Sequence, residues 1–433
     1  MKINTNIILL VLGVMLVFSC KDEQKIDKLM QSQKNITAKE ILGNPKYLAI
    51  SYGGYRKDTR EIQPTIPEIK EDLKILSAMG IKILRTYNVQ LEYPHASNIL
   101  KAIKELMEED SSFEMYVMLG AWIDCENAWT DNPNHEAEDL VANTAEIERA
   151  VALANKYPKI VKILAVGNEA MIHWAASYYV HLSVILKWVN YLQDLKQKGE
   201  LSKDLWITSS DNFASWGGGD NVYHKEDLVN LIKVVNYVSM HTYAYHDTHY
   251  TPAYWINDTI AEYETDLHKV NAGMLRAKKY AISQYNGVKE YLDSLGIDKP
   301  IHIGESGWAS VSNGLYGKDG SKATDEYKAA LYYKHLRDWT NEAGLSCFFF
   351  EAFNENWKDA DNPLGSENHF GLFTKEGKAK YALWDLVDQG VFEDLTRNGN
   401  PITKTYNGNK ELLLNDVLVP ETRVEMVNNH KYE

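Results

Sequence analysis

Short runs of apolar residues alternate along most of the chain with longer segments in which apolar residues recur every three to four positions. Continuous aliphatic and β-branched runs are typical of buried parallel strands, and the longer segments are typical of amphipathic helices. One such helix is predicted to begin at Pro67 and to end at Gly80. The eight predicted strands span residues 47–52, 81–87, 115–122, 160–167, 205–209, 235–243, 301–304 and 347–353.

Each predicted strand is followed by a predicted helix, so the pattern favours an α/β fold of the (β/α)8 TIM-barrel type over residues 45–390. An open doubly wound sheet is the alternative. No glycine-rich dinucleotide or phosphate-binding motif follows the first strand, which ends in Tyr52, Gly53 and Gly54, and this argues against the open sheet. The other predicted helices span residues 97–109, 137–156, 177–198, 225–233, 258–295, 325–342 and 378–388.

Polar and aromatic side chains collect where the predicted strands end, which is the face on which barrel enzymes carry their active sites. Two strand ends carry a glutamate after a glycine: Glu169 in VGNEA and Glu305 in GESGW. We expect these two carboxylates to face each other across one site. The remaining strand ends carry Tyr52, Arg85, Tyr87, Asn88, Trp122, Asp124, Ser210, Asp211, Asn212, His241, Tyr243, Tyr245, Glu351, Asn354 and Glu355.

A pair of carboxylates flanking one bond is what glycoside cleavage requires, because one must protonate the leaving oxygen while the other attacks or stabilises the sugar. A separation of roughly 5 Å would indicate a retaining mechanism. The two environments must then differ, so that one acid stays protonated and the other ionised. We expect Asn168 to hold the sugar 2-hydroxyl, and Tyr243 and Arg85 to donate hydrogen bonds near Glu305.

The stretches ISYGG, ILRTYN, VGNEA, GESGW, FNENWK and HFGLF resemble, in content and order, the pattern of glycoside hydrolase family seventeen, the β-1,3-glucanases. The resemblance covers the whole predicted barrel and implies a retaining mechanism. It implies that Glu169 is the general acid/base and Glu305 the nucleophile. The other residues implied at the site are Glu355 and Lys358 near the catalytic pair, Trp308 beside the nucleophile, and Tyr52, Arg85 and Tyr243 as substrate-binding residues.

The sequence departs from that family in several places. His241 stands where plant members carry Asn, and Trp357 replaces a smaller polar residue. The segments 125–133 and 217–223 have no counterpart, so we expect a reshaped substrate groove. Candidate sugar platforms, besides Trp308, are Trp122, Trp129, Trp174, Trp216, Trp255 and Trp357.

Composition supports a carbohydrate ligand and excludes polyanions. The net charge of −14 argues against nucleic acid or an anionic membrane surface as partner. The aromatic residues comprise 27 Tyr and 11 Trp against 10 Phe. Tyr and Trp side chains offer an apolar face with a polar edge, which suits sugar rings. No cofactor or metal is expected. Cys125 and Cys347 are predicted to be free, because their spacing indicates neither a disulfide framework nor a zinc site.

The N-terminus is predicted to be a targeting segment. The apolar run at residues 7–18 has the length of a signal-peptide core, and the following Ser19 and Cys20 resemble a bacterial lipobox. Residues 1–20 are therefore interpreted as a lipoprotein signal with Cys20 as the lipidated residue, an ordinary secretory signal being the alternative. The acidic residues 22 and 23 resemble a signal for export to the outer face of the outer membrane. Residues 21–44 are polar and predict a flexible tether.

Residues 391–433 are expected to pack on the barrel as an extension, with a strand-like run at 411–419. The function predicted from all of this is a monomeric, surface-anchored, retaining endo-β-1,3-glucanase acting on laminarin-like chains. Two alternatives stay open: a β-1,3-glucanosyltransferase with the same site, and a surface glycan-binding lipoprotein without activity. Linkage specificity is left undecided, because glucans of different linkage differ in groove shape rather than in the catalytic pair.

Overall fold

Eight parallel strands close into a barrel in the computed structural model, which describes residues 36–256 and 265–421. Each strand pairs with the next along the chain, and the last pairs with the first through Ala49 and Phe348. The predicted (β/α)8 barrel is therefore confirmed. The strands are β1 Leu48–Ser51, β2 Ile81–Arg85, β3 Tyr116–Ala121, β4 Val161–Asn168, β5 Trp206–Asn212, β6 Val238–His241, β7 Ile301–Gly307 and β8 Cys347–Phe350.

Helices follow the strands and cover the outside of the barrel. The first begins after Thr65, whose hydroxyl accepts from Glu68 N while the Glu68 carboxylate accepts from Thr65 N, a reciprocal capping box. It ends before Gly80, which has a φ of +88°. The principal helices are α1 Ile66–Ala78, α2 His95–Glu109, α3 Leu140–Lys156, α4 Leu182–Lys198, α5 Glu226–Val234, α6 Asp266–Ser294, α7 Glu326–Glu342 and α8 Trp384–Asp388.

Strand boundaries differ from the predictions in both directions: β1, β2, β3, β6 and β8 are shorter than predicted, and β5 and β7 are longer. Strand β5 continues to Asn212 and β7 to Gly307, beyond the apolar runs, because their last residues still pair with neighbouring strands: Asp211 with Met240, Asn212 with His241. A parallel ladder is made by backbone groups, so polar side chains at the barrel mouth do not end it. Hydrophobicity alone therefore underestimates the length of β5 and β7.

The described part of the C-terminal segment, residues 391–421, packs against helices α1 and α7 and is partly helical. The predicted strand at residues 411–419 is wrong: Lys410–Asn415 forms a helix, because Asn409 Oδ1 caps it by accepting from the backbone N–H groups of Glu411 and Leu412. Leucine-rich sequence is a good helix former once such a cap is present.

A buried charge cluster joins this C-terminal segment to helix α1. Arg397, in the short hairpin Thr396–Arg397 with Asn400–Pro401, donates from Nε to Asp72 Oδ1 at 2.8 Å. Arg56 Nη2 donates to the same oxygen at 2.7 Å, and the Tyr52 hydroxyl donates to Asp72 Oδ2 at 3.0 Å. Asp72 and Arg397 are both fully buried. The cluster therefore ties residues at the two ends of the described chain.

The remaining predictions concern the cysteines and the N-terminus. Both described cysteines, Cys125 and Cys347, are buried and unbonded, as expected. Cys20 and residues 21–35 of the predicted tether lie outside the described residues. Within residues 36–44, Ala38–Ile41 forms a short helix in which Ala38 and Ile41 are buried, so this part is not a flexible tether. Among the helices in residues 36–256 and 265–421, none combines the length and apolar character needed to cross a bilayer.

Candidate active site

Glu305 lies near the end of β7 and is held by three donors. Its Oε2 accepts from Arg85 Nη1 and from the Tyr87 hydroxyl, the latter at 2.9 Å, and its Oε1 accepts from the Tyr243 hydroxyl at 2.5 Å. Burial alone would raise the pKa of Glu305, but the Arg85 cation and the two tyrosine donors outweigh it and lower the pKa to about 2. Glu305 is therefore ionised throughout the neutral range.

Glu169 follows the last residue of β4 in a left-handed backbone conformation with φ of +48°. Such a conformation is unfavourable for a residue with a Cβ and persists only where neighbours enforce it. Its backbone N–H donates to Ser210 O at 3.0 Å, and Met171 N–H donates to Asp211 Oδ2 at 2.7 Å just beyond it. Two contacts from β5 thus hold the turn that presents the Glu169 carboxyl.

The electrostatic environment of Glu169 is opposite to that of Glu305. Burial and the neighbouring negative charge of Glu305 raise the pKa of Glu169 to about 8, although Arg85 works against them. Near neutral pH one carboxyl is protonated and its neighbour is ionised. A pair tuned in this way can supply a proton donor and a nucleophile to one reaction.

A buried hydrogen-bonded chain runs from Glu169 into the barrel. Glu169 Oε1 lies 2.9 Å from His241 Nδ1, His241 Nε2 lies 2.8 Å from Ser210 Oγ, and that hydroxyl lies 2.9 Å from Ser239 Oγ. Burial lowers the pKa of His241 to about 4, so the ring is neutral at pH 7. A Cβ on Gly304 would lie 2.2 Å from Ser239 Oγ, so only glycine leaves room for this chain.

Glu305 lines a groove of about 390 Å³ at the mouth of the barrel, and Asn168, the residue before Glu169, lines it as well. Asn168 is part of its wall, and its Oδ1 accepts from Arg85 Nη2 at 2.5 Å, which leaves its amide N–H groups to face a ligand. The wall also contains Gly53, Tyr55, Arg60, Tyr87, Asn88, Gln90, His95, Trp122, Trp129, Glu305, Phe350, Glu355, Trp357, Lys358 and Glu367.

Glu355 and Lys358 form a charged cluster on that wall. Lys358 Nζ contacts Glu351 and lies 3.5 Å from Glu355 Oε2. Glu355 also accepts from Tyr55 N–H at 3.1 Å and from Trp357 Nε1 at 3.0 Å. Burial raises the pKa of Glu351 to about 8 against the opposing effect of Lys358. The predicted pair thus lies in the groove, and Glu351 is an additional acid that the sequence analysis did not assign.

The structure brings together Glu169, Glu305, Asn168, Arg85 and Tyr243, as the strand-end reasoning predicted. Two predicted ligand-binding residues are wrong. Tyr52 is buried, and its hydroxyl is used by Asp72. Trp308 is buried, and its indole N–H donates to Ala323 O, so it packs in the barrel wall and offers no free face to a sugar.

The other tryptophans divide into three groups. Trp216 and Trp255 are fully buried and are not sugar platforms. Trp122, Trp129 and Trp357 line the groove. Trp174 is 63 % exposed but is not part of the groove wall.

Tyr87 contacts Glu305 and His241 contacts Glu169, although neither contact was predicted from the sequence. Residues two apart on a strand share a face, so the parity of Arg85 and Tyr87, and of His241 and Tyr243, was the signal that could have found them. Within the part of the chain that the structure describes, no group of three or more His, Cys, Asp or Glu side chains could hold a metal ion.

A parallel eight-stranded barrel with two oppositely tuned glutamates at the ends of its fourth and seventh strands is a glycoside hydrolase architecture. The family model for the BtgE/BtgC glycoside hydrolase domain matches residues 49–371, and the chain belongs to this family. This agrees with the predicted β-1,3-glucanase resemblance.

Known relatives are similar along most of the chain. An endo-laminarinase from Formosa Hel1_33_131 is 66 % identical, with 90 % of this chain and 98 % of that chain covered and a TM-score of 0.88. A probable glucan endo-1,3-beta-glucosidase, btgC, of Aspergillus flavus is 25 % identical over 74 % of this chain. The chain spans only 40 % of that fungal protein's length. An active-site mutant of a Rhizomucor miehei β-1,3-glucanosyltransferase shares the fold, at 17 % identity and a TM-score of 0.54.

Proposed function

We propose that the protein hydrolyses internal β-1,3-glucosidic bonds of laminarin-like glucans with retention of anomeric configuration. The observation that carries the proposal is the pair of neighbouring glutamates at the barrel mouth, Glu169 with a raised and Glu305 with a lowered pKa. The similarity to an endo-laminarinase over nearly its whole length supports the linkage and the endo mode.

In the first step Glu305 attacks the anomeric carbon as the glycosidic C–O bond breaks, and Glu169 gives its proton to the leaving oxygen. The product is a covalent glycosyl ester on Glu305 and a shortened glucan. In the second step Glu169, now a carboxylate, removes a proton from water, whose oxygen attacks the anomeric carbon and releases Glu305. Both acids return to their starting protonation states.

The surrounding residues support these two steps. Arg85 and the tyrosine donors keep Glu305 ionised before attack and stabilise it again as it leaves. His241, neutral at pH 7, can donate Nδ1–H to Glu169 Oε1, which directs the carboxyl proton to the other oxygen. The free amide N–H groups of Asn168 suit the sugar 2-hydroxyl.

The test is a time course of laminarin products from the chain beginning at residue 21, with Glu305→Ala beside it. Glu148→Ala is the matched control, because Glu148 is an exposed acid on α3. We expect a ladder of short β-1,3-oligosaccharides from wild type and control, none from Glu305→Ala, and the β-anomer first in NMR spectra. Products longer than the substrate would instead indicate a glucanosyltransferase. Intact laminarin that retards the protein on an affinity gel would indicate a binding protein.

We also propose that the protein is anchored to the outer membrane, facing the cell surface, through a lipid on Cys20. The support is the apolar run at residues 7–18, the Ser19 and Cys20 that follow it, and the acidic residues after Cys20. Cys20→Ala should abolish labelling by a palmitate analogue and release the protein from the membrane fraction. Protease treatment of intact cells should remove the wild-type protein; protection would place it on the periplasmic side.

A further inference from the structure

The segment 125–138, which follows β3, brings Trp129 against two aromatic side chains that lie outside the segment, Trp122 and Tyr178. Its strand Cys125–Glu126 pairs with Asn134–Glu138 in a small antiparallel sheet above β3. Trp129 stacks on Tyr178 with ring centroids 4.9 Å apart and planes 19° apart, and Trp122 lies 5.1 Å from Tyr178. These three rings are called the aromatic platform below.

Asp124 fixes the orientation of both indoles. Its Oδ1 accepts from Trp122 Nε1 at 2.8 Å and from Trp129 Nε1 at 3.2 Å. Among the residues that the structure describes, Asp124 Oδ2 has no hydrogen-bond donor. One carboxylate oxygen thus orients two rings.

The backbone of the segment is equally constrained. Trp129 N–H donates to Ser177 O at 2.8 Å and Cys125 N–H donates to Tyr178 O at 3.2 Å. Trp129 has a φ of +64°, a conformation that is unfavourable for a bulky residue and persists only where the surrounding structure enforces it. A ring ordered in advance loses little freedom when a ligand binds.

Trp129 is nevertheless 61 % exposed, because only one face of its indole is covered by Tyr178. Both indoles line the same groove as Glu305. A flat apolar ring with a carboxylate oxygen at its edge matches a glucopyranose, whose axial C–H groups form an apolar face and whose hydroxyls project equatorially. A neutral sugar also suits a strongly negative protein.

We propose that the aromatic platform is a distal subsite that binds a glucosyl residue of the β-glucan chain away from the scissile bond. The proposal rests on the proposed glucanase function and adds to it a preference for chains long enough to reach Trp129. Binding energy gained there is available only to long substrates, so the rate should rise with chain length until the platform is occupied.

Trp129→Ala tests the subsite, with Trp174→Ala as the matched control, since Trp174 has a comparable exposed fraction of 63 % and lies outside the groove. The measurement is kcat/KM for laminari-oligosaccharides of increasing length and for laminarin. We expect Trp129→Ala to lower kcat/KM for the longest substrates roughly tenfold, from the apolar area one indole face covers, and to leave the shortest cleaved oligosaccharide unchanged. For the longest substrates, kcat/KM of Trp129→Phe should lie between the values of wild type and Trp129→Ala.

Three results would overturn the subsite: an equal loss at every chain length, no loss at any length, or the same length-dependent loss in Trp174→Ala. Melting temperatures of the variants separate misfolding from a lost contact. The underlying glucanase proposal fails separately, because wild type would then cleave no β-1,3-glucan of any length.

Discussion

Replacing Tyr243 by Phe removes the hydroxyl that donates to Glu305 Oε1 at 2.5 Å and keeps the ring, which packs edge-on against Phe350 and Phe370. A hydrogen bond to a charged group contributes about 1.5–3 kcal/mol, and one pKa unit corresponds to about 1.4 kcal/mol. The pKa of Glu305 should therefore rise by about one to two units from its lowered value.

The assay is the pH profile of kcat/KM on laminarin. Its acid limb reports protonation of Glu305 and its basic limb reports ionisation of Glu169. We expect the acid limb of Tyr243→Phe to move to higher pH by about one to two units while the basic limb stays in place. Tyr87→Phe, which removes the 2.9 Å donor to Oε2, should move the same limb in the same direction.

An acid limb that stays in place in both variants, despite a fall in rate, would refute the assignment of Glu305 to that limb. Each sample should also be returned to pH 6 and assayed again, so that unfolding is separated from titration. The sign of the stability effect is fixed by the lowered pKa. The contribution of Glu305 is present above its unfolded-state pKa of about 4.5 and is lost as pH falls towards the folded value. Tyr243→Phe raises the folded-state pKa of Glu305 and should therefore narrow the pH range between the folded and unfolded pKa values.

Three further substitutions test other parts of the structure. Glu169→Gln should lower laminarin hydrolysis about 10²- to 10⁴-fold but spare formation of the glycosyl ester from a dinitrophenyl glucoside, which needs no protonation; equal losses on both substrates would contradict the acid role. His241→Leu removes the Nδ1 partner of Glu169, so the basic limb should move to higher pH, and an unmoved limb would show that the contact does not tune Glu169. Asp72→Asn leaves the buried Arg397 without a carboxylate and Arg56 with Glu71 alone, and should lower the free energy of unfolding by about 3–5 kcal/mol in chemical denaturation. Asp338→Asn, in an exposed pair with Lys334, is the matched control and should change stability little; equal effects would mean that the cluster is not stabilising.

The eight strands were predictable because buried parallel strands are continuous apolar runs, and this pattern does not depend on the sequence of the connecting loops. The carboxyl pair was predictable because strand ends of a closed barrel share one face, which brings Glu169 and Glu305 together without knowledge of distances. Arg85 and Tyr243 followed for the same reason.

What could not be predicted depends on the direction of side chains after the strands end. Trp308 lies just beyond β7, and whether its indole faces the groove or the wall is decided by the path of the following loop to Ala323. The contact between His241 and Glu169 depends on the stagger between β4 and β6, which a one-dimensional pattern does not contain. The helix at Lys410–Asn415 depends on the cap at Asn409. The apolar residues that follow this cap are equally typical of a strand, so hydrophobicity alone does not distinguish the two.

The cluster around Asp72 has a consequence for how the chain is completed during synthesis. Asp72 and Arg56 are made early, but Arg397 follows 325 residues after Asp72, and strand β8 is made almost as late as that arginine. While the chain is still on the ribosome and helix α1 has been made, Asp72 can therefore pair with Arg56 but not yet with Arg397. All eight barrel strands, the last of which ends at Phe350, can therefore emerge while Asp72 still lacks one of its two arginine partners, and the cluster is complete only when the C-terminal hairpin has emerged. A protein cut at residue 390 would remain in that unfinished condition permanently, so the hairpin belongs to the smallest unit that should be expressed.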